Sequence, residues 1–380
     1  MTLRLIHTAD WQIGRVYSQF EPDDASALFE ARFHAVERLA TLAVEHGVDA
    51  VLVAGDVFDL QTVSDKTIRR LFNAMQGYPG AWVLLPGNHD AALAESVWTR
   101  AQRLGVVPPN VVTCLEPVAR LVGGRFALLP APLVQRHTYG DLTDWFATTP
   151  TPEHLPRIGI AHGCVQGVLA EELDSANPIA ADRATSARLD YLALGDWHGS
   201  KRIDARTWYA GTPETDRFKA NASGQALLVR IDGPGATPEV QVLPTGRYRW
   251  RQIEAPLAVP SDVDAALQML ADAIADDVLQ FRVAGVCDLH GQRRLQQGVA
   301  HARARVRALV QESHELRLEP TPQDIESLHA DGYVGEVVQQ LQAEQTGPQA
   351  QRSRDALVIL ARLLDELGDR PAVIPSQAGA

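Results

Sequence analysis

Short runs of β-branched and aliphatic residues alternate with helical stretches through roughly the first 200 residues, a pattern that predicts an α/β sheet rather than segregated elements. Strands are predicted at 3–6, 50–53, 81–85, 125–129, 158–161 and 191–194. Between the first two, Leu28, Phe29, Phe33, Val36, Leu39, Ala40 and Ala43 recur at three- and four-residue intervals. That spacing predicts a helix whose apolar face packs on the sheet. Residues 204–246 predict further strands at 208–209, 225–231 and 240–243, separated by Gly- and Pro-rich turns and completing a second sheet.

The character changes around residues 247–260, so three segments are expected: 1–247, 248–343 and 344–380. In the second, Ser261 with Asp264 predicts a capped helix start, a strand follows at 279–283, and a second helix is predicted over 293–310. Together these predict a small α+β domain. The polar stretch 344–353 reads as a linker. Beyond it Leu357, Val358, Ile359, Leu360, Leu363, Leu364 and Leu367 predict a helix apolar over most of its circumference. Such a helix either folds back on the chain or docks on another protein.

Composition narrows the class. Of 380 residues, 46% are hydrophobic and 22% charged, and no apolar run approaches the roughly 18 residues of a membrane helix. The start of the chain lacks the apolar region and cleavage site of a secretory signal, which predicts a cytoplasmic protein. Cys114, Cys164 and Cys287 are widely spaced and odd in number, so buried thiols are expected rather than a disulfide framework. The formal charge of −12 argues against a protein that coats nucleic acid through a general positive field. Any contact with DNA is then local or shared with a partner.

The chemistry lies at the predicted strand ends. His7-Thr8-Ala9-Asp10-Trp11-Gln12 follows the first strand, Gly55-Asp56-Val57-Phe58-Asp59 the second and Gly87-Asn88-His89-Asp90 the third. Ala161-His162-Gly163 and Gly195-Asp196-Trp197-His198 close two later ones. Residues just outside the carboxyl ends of parallel strands face one crevice, so separate clusters in sequence become one in space. Asp, Asn and His without thiolate suit manganese, magnesium, iron or zinc. A single Gly-Asp step after a strand is usually an ordinary turn, but turn propensity has no use for the histidines. No Walker loop, G-x-S-x-G elbow or G-x-G-x-x-G turn competes with the metal reading.

The series resembles the calcineurin-like metallophosphoesterase superfamily, and HTADW, GDVFD, GNHD, LGDWHG and YAGTPE are similar to the boxes of SbcD-type DNA repair exonucleases. The resemblance covers about residues 1–220 and, more loosely, 250–340. It implies a metallophosphoesterase β-sandwich flanked by helices in 1–247, a capping and DNA-binding domain in 248–343, and a C-terminal partner-docking helix. It also implies two divalent ions. Asp10, Asp56 and His198 would serve one, with Gln12 at a further ligand position beside them, and Asp56, Asn88, His162 and Asp196 the other, with Asp56 as the bridge. His89, supported by Asp90, would contact the scissile phosphate.

Two positions depart from the pattern. Gln12 stands where the resembled family has histidine, and Asp196 replaces the first histidine of the last box. A carboxylate at that position favours manganese or magnesium, whereas a neutral amide oxygen is a weak ligand, so the first ion is expected to be loosely held. Lys201, Arg202, Arg206, Arg217 and Lys219 are candidates for backbone phosphates, with solvated surface charge as the equal alternative. The resemblance implies DNA as substrate and an SbcC-like coiled-coil ATPase as the partner of helix 356–367, and it leaves a homodimer open. Two other functions remain: a weakly active DNA-end-binding scaffold, and a small-molecule phosphodiesterase or phosphatase.

Overall fold

The computed structural model describes residues 2–168, 176–321, 323–324, 333–346 and 348–368. They divide into two compact units, 1–250 and 251–380. Strands of the first unit's amino-terminal part are β1 (Leu3–Thr8), β2 (Ala50–Val53), β3 (Ala81–Leu84), β4 (Val111–Thr113), β5 (Arg120–Val122), β6 (Phe126–Ala131) and β7 (Arg157–His162). There follow β8 (Cys164–Val165), β9 (Pro178–Ile179), β10 (Tyr191–Gly195), β11 (Lys201–Arg202), β12 (Thr207–Tyr209), β13 (Gln225–Ile231) and β14 (Glu239–Pro244).

The unit holds two six-stranded sheets, in the orders β14-β13-β1-β2-β3-β4 and β11-β12-β10-β7-β6-β5, and a two-stranded pair, β8-β9. β1 to β4 run parallel to one another, as do β6, β7, β10 and β12. The sheets pack face to face: Leu5, Leu52 and Val83 of the first share one core with Leu128, Ile160 and Ala193 of the second. Nearly every residue of the parallel strands is buried, as expected for sheets covered on both faces. The outer face of the first sheet is covered by α1 (Pro22–Glu45), α2 (Asp65–Ala74) and α3 (Val97–Arg103), while α4 (Arg183–Ser186) is a short helix that precedes β10. α1 begins on Pro22 with Asp23 and Asp24 in its first turn, which suit the helix N-terminus. Its predicted apolar positions Phe33, Val36, Leu39, Ala40 and Ala43 pack with Val51, Val53 and Trp82.

One topological expectation is corrected. The strands at 225–231 and 239–244 do not extend a second sheet; β13 pairs antiparallel with β1 and carries β14 on its outer edge. Only β12 joins the second sheet, parallel to β10. Strand runs can be read locally, but the neighbour a strand chooses is a long-range property.

His7 illustrates what this core demands of a polar residue. It is buried between the sheets, 2.9 Å through Nδ1 from the Tyr191 hydroxyl and 3.2 Å through Nε2 from the Leu194 carbonyl. A carbonyl only accepts, so Nε2 carries the proton and Nδ1 accepts from Tyr191. Burial pushes its pKa from 6.5 down to about 3. The folded state therefore binds this proton less tightly than the unfolded chain, and the stability contribution is present above pH 6.5 and lost as pH falls toward 3. Denaturant titrations between pH 7 and 3 are expected to show roughly 4 kcal/mol of acid destabilisation from this residue, absent in His7→Asn.

The second unit contains β15 (Arg249–Leu257, which spans the boundary), α5 (Ser261–Ala271), β16 (Asp277–Cys287), α6 (Leu289–Arg303) and β17 (Ala308–Leu318). β16 and β17 are parallel and joined through α6, with β15 on the other side of β16. Val263, Ala266 and Leu270 of α5 and Leu295 and Val299 of α6 pack on Leu279, Phe281 and Val283. Three local readings need correction. Ser261 is the first helical residue and makes no capping bond; Asp262 instead ties the preceding loop by accepting from the Ala258 and Val259 amides at 2.8 and 2.9 Å. The helix expected to reach residue 310 ends at Arg303, because Ala308, Leu309 and Val310 pair in parallel with Val278, Leu279 and Gln280. The expected linker is mostly helical: a 3₁₀ turn spans Glu344–Thr346 and the last helix spans Ala350–Gly368.

That last helix folds back. Leu357 is buried with Val338 of the helix Tyr333–Ala343, Leu341 and Leu360 pack beside them, and Val358 meets the core of the α+β sheet. Ile359 and Leu363 remain exposed. Cys114, Cys164 and Cys287 are buried, free thiols. Among the described residues no helix is long and apolar enough to cross a membrane.

Candidate metal centre

The parallel strands β1, β2, β3, β7 and β10 all end at one place, so the five polar clusters converge. The loops after β1 and β2 are zipped together: the Asp10 amide donates to the Gly55 carbonyl at 3.0 Å, the Gln12 amide to Asp56 at 2.8 Å and the Ile13 amide to Val57 at 2.9 Å. This pairing forces the side chains inward at a cost. Asp10, Gln12, Asp56 and Asp196 have φ of 51, 43, 52 and 99°, four of the seven non-glycine residues with positive φ among those described. Such conformations cost about 1 kcal/mol or more each and persist where the surroundings impose them.

Side-chain geometry makes a cage of acceptors. His162 Nδ1 lies 2.9 Å from the Ala54 carbonyl, which fixes the proton there and turns Nε2 into the site. Nε2 then stands 3.1 Å from Asn88 Oδ1, 3.5 Å from Asp56 Oδ1 and 3.6 Å from Asp196 Oδ1. Four acceptors aimed at one space are compatible only with a cation or a proton between them. Asp10 Oδ1 accepts the Asp196 amide at 3.1 Å, while its Oδ2 is buried without a hydrogen-bond partner among the described residues. Ligand atoms of Asp10, Asp56 and His162 lie within 4.8 Å of one another. Burial alone would lower the His162 pKa, but Asp56, Asp196 and Asp10 outweigh it and push it to about 9. Burial pushes the Asp10 carboxyl up to about 6 and raises that of Asp196. The donor set fits a divalent ion in the half formed by Asp56, Asn88, His162 and Asp196.

The other half does not fit in the same way. Gln12 Oε1 accepts a short hydrogen bond from Arg15 Nη1, and Gln12 Nε2 lies 3.2 Å from His198 Nε2. His198 Nδ1 is 2.9 Å from Asp216 Oδ2. Arg15, Arg32 and Arg217 all approach that Asp216 carboxylate, at 3.3, 3.6 and 3.0 Å. Burial would raise the Asp216 carboxyl; its hydrogen bond to His198 and the charges of His198 and Arg32 hold it well below the usual range. Sequence reading missed Asp216, Arg15 and Arg32. Arg32 gave a signal, a charged residue inside the apolar stripe of α1, where it is buried and donates to Tyr17 Oη at 2.9 Å and the Trp11 carbonyl at 2.7 Å.

The support expected from Asp90 for His89 is corrected. Asp90 accepts the Gly87 and Phe58 amides at 2.7 and 3.0 Å, a structural tie between two loops. Burial, then Asp56, push its carboxyl up to about 7. His89 is oriented instead by the Asp59 carbonyl, 2.8 Å from Nδ1, which leaves Nε2 facing Asp56 Oδ2 at 3.9 Å. The His89 amide donates to Asp56 Oδ1 at 2.9 Å.

Gly87 permits this close approach rather than a sharp turn. A Cβ there would stand 2.1 Å from Asp56 Oδ1 and 2.4 Å from the Asp56 amide nitrogen. Gly87→Ala is expected to fold with a loss of about 1–3 kcal/mol and to weaken manganese binding by roughly tenfold or more, since it displaces a ligand's support. Calorimetric titration with manganese checks this.

The family profile described as calcineurin-like phosphoesterase matches residues 3–228. The chain belongs to the calcineurin-like phosphoesterase family. Among relatives, the DNA double-strand break repair protein Mre11 of Methanosarcina acetivorans is 24% identical over 263 residues, 65% of this chain and 39% of that protein. The SbcD component of the nuclease SbcCD of Escherichia coli is 36% identical over 252 residues, 56% of this chain and 60% of that one. The uncharacterized metallophosphoesterase YhaO of Bacillus subtilis is 24% identical over 289 residues, 72% of this chain and 68% of that protein. The chain thus spans less than two thirds of the length of both the Mre11 and the SbcCD relative. The family is one of metal-dependent phosphoesterases, and Asp10, Asp56 and His162 offer a potential site for a divalent ion here.

Proposed function

We propose that this phosphoesterase is a metal-dependent nuclease that hydrolyses phosphodiester bonds in DNA, as an exonuclease with endonuclease capacity, in cytoplasmic DNA repair or end processing. The observation that carries the reading is the acceptor cage of Asp56, Asn88, His162 and Asp196, with Asp10 Oδ2 beside it, buried and without a hydrogen-bond partner among the described residues. A divalent ion bound there, manganese or magnesium being best suited to so many oxygen donors, supplies Lewis acidity toward phosphate and water. His89, held through Nδ1, offers Nε2 to the leaving oxygen and can hold or deliver a proton at that atom.

DNA as the substrate is supported by the names of the Mre11 and SbcCD relatives and by local cations. Lys219 lies 4.9 Å from the Trp197 ring, within the last box, and Arg217 reaches His198. Arg206 drops out of that role, because its guanidinium is spent on the Ala236 and Gly235 carbonyls. An SbcC-like ATPase docking on Ile359 and Leu363 of the last helix completes the reading; their exposure supports it. A weakly active DNA-end-binding scaffold is the second reading, favoured by the occupied Gln12 oxygen.

The test is release of nucleotides from end-labelled linear duplex and single-stranded DNA, with bis-p-nitrophenyl phosphate in parallel, in manganese and in chelator. Metal-dependent DNA cleavage lost in His89→Ala is expected. Hydrolysis of the chromogenic diester alone supports a small-molecule phosphodiesterase, and DNA binding without turnover supports the scaffold.

A further inference from the structure

We propose that the centre holds one tightly bound divalent cation, in the half formed by Asp56, Asn88, His162 and Asp196, and that the Arg15 guanidinium, not a second cation, supplies the positive charge on the Gln12 and His198 side. The inference rests on the reading of this cluster as a metal centre and deepens it.

The donors on the Gln12 and His198 side are already committed. A second ion on that side would draw on Asp10, Gln12, Asp56 and His198. Gln12 Oε1 is already bonded to Arg15 Nη1, and the amide turns its donor nitrogen to His198 Nε2 at 3.2 Å. The ring nitrogen and the amide oxygen that would face an ion are therefore both in use. Asp56, which already serves the first half, and Asp10 remain, and the ligand atoms of both lie within 4.8 Å of that of His162. Two carboxylates, one of them shared, leave a second ion with most of its shell as water, which makes it a weakly held ion beside the first.

Charge acts in the same direction. Arg15 is pinned 3.3 Å from Asp216 Oδ2 and 3.9 Å from Asp59 Oδ1, and Arg217 Nη2 lies 2.7 Å from His198 Nδ1. Two guanidinium groups on this side raise the local potential against a second dication. The opposite half has the reverse balance: Asp56 and Asp196 surround His162 Nε2, and two carboxylates match one divalent ion.

Arg15 is also suited to the work. Its side chain is about a quarter exposed, at 26%, so it is fixed by its partners yet open to a ligand. A guanidinium presents paired N–H donors to phosphate oxygens and keeps its charge at any working pH. It would hold the non-bridging oxygens of the phosphodiester from one side while the bound ion holds them from the other.

The test counts metal rather than activity. The full chain is loaded with manganese, freed of loose ion by gel filtration, and analysed by plasma mass spectrometry and low-temperature electron paramagnetic resonance. About one manganese per chain and the six-line spectrum of an isolated ion are expected. In the double variant Q12H/R15A, which restores an imidazole and removes the guanidinium, a ratio near two and an exchange-coupled spectrum are expected. A wild-type ratio near two, or a folded double variant that still holds one ion, overturns the inference. A ratio near two with metal-dependent DNA cleavage sinks it while the nuclease reading stands. A ratio near one without cleavage of DNA sinks the nuclease reading alone, and a ratio near zero sinks both.

Discussion

Replacing Asp56 with asparagine is expected to lower metal-dependent cleavage by roughly 10²–10³-fold or more, the scale seen when one preorganised charge-stabilising group is lost. Asp56 is the carboxylate on which the centre converges. Its Oδ1 lies 3.5 Å from His162 Nε2 and accepts the His89 amide at 2.9 Å, while Oδ2 faces His89 Nε2 at 3.9 Å. Asparagine keeps the shape and an oxygen for the amide bond, so melting temperature should change little. The negative charge that matches a divalent ion is gone, and manganese affinity should fall in the same variant. Activity within tenfold of wild type would show that the ion is held elsewhere.

The second large effect concerns stability. Arg32→Met is expected to cost about 3–5 kcal/mol, the range for removing one partner of a buried ion pair. The guanidinium is buried, bonded to Tyr17 Oη and the Trp11 carbonyl, and 3.6 Å from the equally buried Asp216. Methionine fills the volume but leaves Asp216 with less compensation, so the carboxylate that holds His198 loses a fixed neighbour. Denaturant unfolding measures the cost, and a change below about 1 kcal/mol would mean that Arg15 and Arg217 already satisfy Asp216.

The sequence pattern reaches the elements that position the centre because each is locally encoded. β2 falls at Ala50–Val53 and β13 at Gln225–Ile231, both as their apolar runs predict. The polar boxes follow β1, β2, β3 and β10, with His162 closing β7, so their gathering depends only on parallel strands sharing one end. What escaped is set by distant partners. β13 chose β1 rather than a neighbour in the second sheet, and residues 308–310 left a helical pattern to pair with β16. The resemblance implies Asp90 as the support of His89, whereas its carboxylate accepts from the Phe58 and Gly87 amides. Gln12 was legible as a departure, but the guanidinium of Arg15 that occupies its oxygen required coordinates.

The claim on which the rest depends is that five strand-end clusters form one divalent-metal centre. Crystals of the protein grown with manganese and measured at the manganese absorption edge test it most directly. The account predicts an anomalous peak within coordination distance of Asp56, Asn88, His162 and Asp196. A folded protein in saturating manganese with no peak there, or with its strongest peak at another site, would contradict it.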